Sequence, residues 1–164
     1  MRRKPGNEIA KAKLELQDVI EELLTRHRLD MFGHYKYDLR LRMPSRLVIN
    51  NADSYASVGH YYEPDGGLVL FIRKLDRYMR IGLYYDLNGD HMCDPVLTIE
   101  CINRVWHPIG IERILGYAAL SYAVGCKRVM YPDKVEEFMS FQRMFAQYIR
   151  EQEWLKNGVR IKRK

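Results

Sequence analysis

The sequence predicts an α+β fold: an antiparallel sheet of about five strands with an N-terminal amphipathic helix and C-terminal helices packed on it. Three observations carry this expectation. Apolar residues near the N-terminus recur at helical spacing. Residues 34–43 alternate with a period of two. After Trp106 the pattern returns to helical spacing, with proline and glycine at the expected helix ends. The 164 residues are 47% hydrophobic and 12% aromatic, enough to build a core and contrary to a disordered composition. A single domain over residues 1–164 is expected, with short basic tails at 1–4 and 159–164. Internal repeats, low-complexity segments and linkers long enough to divide domains are all lacking.

Taken in order, Ile9, Ala12, Leu16, Val19, Ile20, Leu23 and Leu24 form an apolar stripe, and Lys11, Glu15, Asp18, Glu21 and Glu22 the opposite face. This spacing predicts a helix from about Asn7 to His27, docked on a sheet. In "HYKYDLRLRM", Tyr35, Tyr37, Leu39, Leu41 and Met43 alternate with His34, Lys36, Asp38, Arg40 and Arg42, the signature of a strand with one cationic face. Pro44 ends or bends it. Further strands are expected at 46–49, 55–62, 68–73, 77–85 and 96–103. "EPDGG" at 63–67 and "LDR" at 75–77 supply the turns of an antiparallel meander. Trp106 should be buried where the sheet hands over to the helices, its indole N–H bonded to an acceptor. Pro108 precedes a helix expected from Ile111 to Val124, with Gly125 as its C′ residue. Pro132 and Asp133 open another helix. Asp133 is placed to cap it, Glu136 resembles the second half of a capping box, and Asn157–Gly158 should stop it.

"YYDLNGDHMCDP" (Tyr84 to Pro95) admits three readings. Asp86, Asn88 and Asp90 match the first, third and fifth positions of an EF-hand loop. His91 stands where that loop needs glycine and Leu97 where it needs a bidentate glutamate, so calcium binding fits poorly. A hairpin tip explains more, because Asn88–Gly89 tolerates positive φ at both positions and joins two strand-like runs. Asp94–Pro95 then restarts the chain in extended form. The third reading gathers Asp86, Asp90, Asp94, His91, His107 and Glu112 at one end of the sheet, for Mg²⁺ or for acid/base chemistry. Cys93 is a conceivable nucleophile, without a histidine fixed to it by spacing. There is no phosphate loop, no G-x-S-x-G and no paired-cysteine signature, so the sequence assigns no catalytic residue, metal or cofactor.

The formal charge of +6 sits at the ends. Arg2, Arg3 and Lys4, and then Lys156, Arg160, Lys162, Arg163 and Lys164, have no acid among them, whereas the residues between carry slightly more acids than bases. Basic ends and a cationic strand face suit an anionic partner. The binding candidates are Lys36, Arg40 and Arg42 on the strand, Tyr61 and Tyr62 in a tyrosine-rich segment, and Arg160, Lys162, Arg163 and Lys164 near the C-terminus. Cys93, Cys101 and Cys126 lack metal-type spacing and read as reduced thiols, the basic N-terminus has no apolar signal core, and no apolar run reaches the ~18–20 residues of a membrane span; a cytoplasmic protein without a membrane partner is expected.

The segment "RIGLYYDLNGDHMCDPVLTIEC" followed by "WHPI" resembles a family of small uncharacterised proteins carried by phages, plasmids and other mobile elements. The matching residues are Tyr84, Tyr85, Asn88, Gly89, Asp90, Asp94, Pro95, Trp106 and Pro108, and the final "EWLKNG" is also similar. The resemblance spans Leu68 to Pro108; Leu83 departs from it where the pattern has a histidine. It implies a mobile-element setting and no particular reaction. Two functions compete. One is a non-enzymatic binding protein acting on nucleic acid or on a host nucleoprotein complex, an inhibitor of a host defence system such as CRISPR–Cas (an anti-CRISPR) being one version. The other is a small metal-dependent hydrolase or nuclease using the acids of residues 86–94.

Overall fold

The computed structural model describes residues 14–43 and 65–161. The expected strands at 46–49 and 55–62, the start of the first helix, the basic residues 1–4, and Tyr61, Tyr62, Lys162, Arg163 and Lys164 lie outside the described residues.

The fold is α+β. Helix α1 (Glu15–Arg26) precedes β1 (Tyr37–Arg42), followed by β2 (Asp65–Leu75), β3 (Tyr78–Leu87), β4 (Asp90–Ile102), β5 (Val105–Arg113) and β6 (Gly116–Ala119). A hairpin of β7 (Ser121–Val124) and β8 (Lys127–Met130) leads through a 3₁₀ turn at Pro132–Lys134 into α2 (Val135–Glu151). Then come the short α3 (Trp154–Asn157) and β9 (Val159–Arg160). The main sheet has seven strands in the order β6-β5-β4-β3-β2-β1-β9, every neighbouring pair antiparallel.

One face of this sheet carries the core. Leu39, Leu41, Leu70, Ile72, Met79, Ile81, Leu97 and Ile99 pack against Leu16, Val19, Ile20, Leu23 and Leu24 of α1 and against Phe138, Phe145 and Ile149 of α2. The expected stripe of α1 is therefore buried as its spacing required. Leu14 gives α1 no side-chain cap. The Leu16 N–H instead donates to Gln142 Oε1 of α2 at 2.9 Å, and Gln142 Nε2 donates to Glu15 Oε1 at 3.0 Å. A buried glutamine from one helix thus serves an orphan donor in the first turn of the other.

Four expectations are corrected. The sheet has seven strands, not about five: β4 runs longer than its apolar segment, and β5, β6 and β9 are strands the pattern did not indicate. Residues 111–124 are not a helix. They form the end of β5, β6 and β7, with turns at 114–115 and, after β7, at 125–126. Their apolar content is high, but Tyr117, Tyr122 and Val124 are exposed and Leu120 is buried, which is no helical stripe. Gly110, on β5, leaves its outer side open, and the Tyr117 phenol lies across it; a side chain at 110 would collide with that ring. Gly125 accordingly turns a hairpin, with φ +60°, rather than ending a helix. Asp133 makes no capping hydrogen bond, because it sits inside the 3₁₀ turn and Lys134 occupies the N-cap position. Residues 159–161 are not tail: Val159 and Arg160 pair with Arg42 and Leu41, and the Ile161 N–H donates to the Arg40 carbonyl at 2.9 Å. Asn157–Gly158 does end the last helical turn.

Trp106 is 1% exposed on β5, as its size required, but among the described residues its Nε1 has no hydrogen-bond partner, against expectation. It sits inside a sheet strand whose neighbouring carbonyls are already paired in the ladder with β4.

Candidate functional site: a cation–aromatic sheet face

The hairpin reading of Tyr84 to Pro95 is the one realised. Asn88 and Gly89 have φ of 53° and 86° and join β3 to β4 through the Leu87–Asp90 pair. Both values are left-handed, as a primed two-residue turn demands. Asp94 and Pro95 continue the extended strand β4, joined by a cis peptide bond. Asp86 faces His91 across the ladder, and its Oδ1 lies 2.9 Å from His91 Nδ1.

The acids and histidines do not gather. His107 pairs with Glu100, and the run of β4 from His91 to Glu100 spans about 30 Å at the rise of an extended chain. Glu112 Oε2 is bound by Arg80 at 2.8 Å. Among the described residues no three His, Cys, Asp or Glu side chains are grouped so as to hold a metal ion. Burial raises the Cys93 thiol pKa and pushes that of Cys101 up to about 11, away from the thiolate that a nucleophile needs. Cys93, Cys101 and Cys126 are all free. His107 is lowered chiefly by burial, with Glu100 opposing.

The notable chemistry lies on the sheet face turned away from the helices. Residues paired across strands share a face, so the register places Arg42, Val69 and Tyr84 in one row. Arg40, Phe71, Gly82, Val96 and Glu112 form the next, and Asp38, Arg73, Arg80 and Thr98 the third. Val69, Phe71, Tyr84 and Val96 make a second, smaller apolar cluster, against which Cys93 and Ile161 pack. Arg40 lies over the Tyr84 ring, 5.5 Å from its centroid, and donates from Nη1 to Tyr84 Oη at 3.2 Å. Its Nε and Nη2 engage Asp38 at 3.3 and 3.1 Å. That carboxylate chiefly raises the guanidinium pKa and holds its charge in place. His91 stands on the far side, its ring centroid 4.6 Å from that of Tyr84, and Phe71 is 5.8 Å away. A polar and aromatic line therefore crosses β1, β3 and β4: Asp38, Arg40, Tyr84, His91, Asp86. Arg42 and Arg73 stand beside it with no carboxylate partner among the described residues, where Arg42 Nε is also buried without a hydrogen bond.

Of the binding candidates among the described residues, the structure brings together only Arg40 and Arg42. Lys36 is exposed just before β1. Arg160 pairs with Leu41, so it belongs to the opposite, helix-side face, where its Nη1 points at the His27 carbonyl at 3.5 Å. The Arg73, Arg80 and Tyr84 positions were not read from the sequence. Val69–Phe71–Arg73 and Arg80–Gly82–Tyr84 do alternate, but the intervening positions are apolar too, and strands buried on both faces lose the period-two signal.

The fold and this face define a small antiparallel α+β protein bearing an arginine–aromatic surface. The chain matches no protein-family model, no curated protein and no solved structure. No helix of the described residues is long and apolar enough to cross a membrane.

Proposed function

We propose that this is a small non-enzymatic binding protein of phage or mobile-element origin that acts on nucleic acid or on a host nucleoprotein complex. Inhibition of a host defence system such as CRISPR–Cas, as an anti-CRISPR, is the version that suits its size and charge. The observation behind this reading is the outer sheet face, where Arg40, Arg42, Arg73 and Arg80 surround Phe71 and Tyr84. Arginine forks match phosphate geometry, and arginine and tyrosine are the commonest interface anchors. A guanidinium held by Asp38 against Tyr84 is preorganised, so less entropy is lost on binding. The resemblance to mobile-element proteins supports the setting.

The test is fluorescence anisotropy with labelled single- and double-stranded oligonucleotides across a salt series, together with capture from host lysate with and without nuclease. Affinity should fall linearly with log salt, by roughly 0.7–0.9 in slope for each phosphate neutralised. Arg42→Glu, at an arginine that holds no other side chain among the described residues, should weaken binding at least tenfold. Salt-independent affinity that Arg42→Glu leaves unchanged would overturn the reading. A melting temperature that drops on chelation would favour a metal-dependent hydrolase or nuclease built on Asp86, Asp90 and Asp94.

A further inference from the structure

We infer that Arg73 and Arg80 form a seat for a single oxyanion, which under the function proposed above is a backbone phosphate of the bound nucleic acid. Only the identification of the anion's source rests on that function. The seat itself rests on the geometry of the third row of the outer face.

Arg73 and Arg80 are direct partners across the β2–β3 ladder. Side chains in that relation stand about 5 Å apart at Cβ, and like charges so placed oppose folding. Deprotonation offers no relief, because a guanidinium stays charged at any pH a protein tolerates. The usual remedy is a carboxylate on each flank; here Glu112 serves Arg80 alone, and Asp38 is committed to Arg40. Asp38 pairs with Arg73 in the register but binds Arg40 through two nitrogens. Glu112 takes Nη2 of Arg80 at 2.8 Å, and among the described residues the remaining donors of that fork are unused. Among the described residues Arg73 makes no hydrogen bond, ion pair or ring contact at all. Two half-buried arginines thus stand as cross-strand partners with unspent N–H donors, and among the described residues no carboxylate binds both.

The row continues with donors. Thr98 pairs with Arg80 on the next strand, and Gly110 pairs with Thr98. The Tyr117 hydroxyl lies over Gly110, and that side chain is 59% exposed. Arg73, Arg80, Thr98 and Tyr117 therefore present guanidinium and hydroxyl groups in line across β2 to β6. An oxyanion that accepts from both forks would convert the repulsion into two charge-assisted contacts. A chloride ion, a single acceptor atom, offers no pair of oxygens for the parallel N–H groups of a fork and would do this less well. Tetrahedral phosphate offers more acceptor directions than a carboxylate and can also reach the Thr98 hydroxyl.

The experiment compares melting temperatures of the full chain in inorganic phosphate and in chloride, at matched pH and ionic strength, for the parent and for Arg73→Gln. The parent should melt higher in phosphate than in chloride. Arg73→Gln should lose that difference, and in chloride it should melt no lower than the parent, because it removes a repulsion. Arg73→Lys is the second variant: it keeps the charge but not the fork, so it should keep the repulsion and lose most of the phosphate gain. A phosphate gain that survives Arg73→Gln, or no gain in the parent, overturns the seat. The oligonucleotide arm separates this outcome from the function. If Arg73→Gln lowers oligonucleotide affinity several-fold and reduces the salt slope by about one, seat and source both stand. A phosphate gain that depends on Arg73 without oligonucleotide binding upholds the seat and refutes the nucleic-acid source. Oligonucleotide binding with an unchanged slope in Arg73→Gln, and no phosphate gain, refutes the seat alone.

Discussion

Replacing Gln142 by leucine should destabilise the protein through a donor 126 residues away in sequence. Gln142 is 0% exposed, so its amide is not in contact with solvent. Its Oε1 accepts the Leu16 N–H in the first turn of α1, where the N-cap residue, Leu14, provides no side-chain cap. Leucine has nearly the same volume and creates little cavity, so the loss is almost purely polar. An N–H left buried and unpaired costs about 1–3 kcal/mol. The second bond, from Nε2 to Glu15, adds less, because the Glu15 side chain is 47% exposed and keeps Arg143 at 3.1 Å. Apolar burial of the leucine returns part of the total. A net loss of about 2 kcal/mol follows, which for a chain of this size lowers the melting temperature by roughly 4–8 °C. Thermal unfolding followed by circular dichroism would measure it, with Gln147→Leu as the exposed control on the same helix. The same variant has a pH signature. The hydrogen bond from Gln142 is the chief reason that the Glu15 pKa is lowered in the folded state, followed by its backbone bond and Arg143. A carboxyl whose folded pKa is depressed contributes stability above its unfolded pKa, and this is lost as pH falls through the folded value. Gln142→Leu should therefore flatten the acid limb of the stability curve below about pH 4.5. An unchanged melting temperature, with an unchanged acid limb, would refute the cross-helix cap.

Trp106 fills the core but leaves its indole N–H unpaired, so two substitutions should part company. Trp106→Ala should cost about 3–5 kcal/mol through the cavity, while Trp106→Phe, which removes the orphan donor as well as some volume, should cost well under half of that in denaturant titrations. Gly89→Val should cost about 1–2 kcal/mol, since φ of 86° is hostile to a β-branched residue, and calorimetry that finds no loss would remove the turn assignment.

How much of this was legible depends on what each segment has to satisfy. The α1 stripe and the alternation of β1 were readable because each has one buried and one open side, and the side-chain period then reports the backbone directly. The Asn88–Gly89 turn was readable because few residues accept its dihedrals. Residues 111–124 misled because a dense apolar run is as compatible with a helix as with sheet. The apolar pattern does not show that the Tyr117 ring lies across the bare backbone of Gly110 on the neighbouring strand. On the outer face, Arg40 and Arg42 were found because their strand alternates polar with apolar. Arg73, Arg80 and Tyr84 were hidden because β2 and β3 are apolar on both sides there. Arg160 was assigned to the right chemistry and the wrong face, since a two-residue strand has no period from which its direction could be read.

The pairing of β9 with β1 constrains the order in which the molecule can form. Strands β2 to β6 meet partners adjacent in sequence, so each hairpin closes a short loop and can arise while synthesis continues. Strand β1 gains its second neighbour only when Val159 and Arg160 are available, and α1 gains its Gln142 bond only with α2 in place. Both closures join residues more than a hundred positions apart, the slow, entropically demanding class of contact. On the ribosome the meander can assemble early, but the helical layer and the last edge must wait. Until then the outer edge of β1 stays open, and its arginines, Arg40 and Arg42, lie along it. Charge on an unpaired strand is a recognised guard against intermolecular sheet growth. The residues that serve the mature surface would thus also protect the nascent chain.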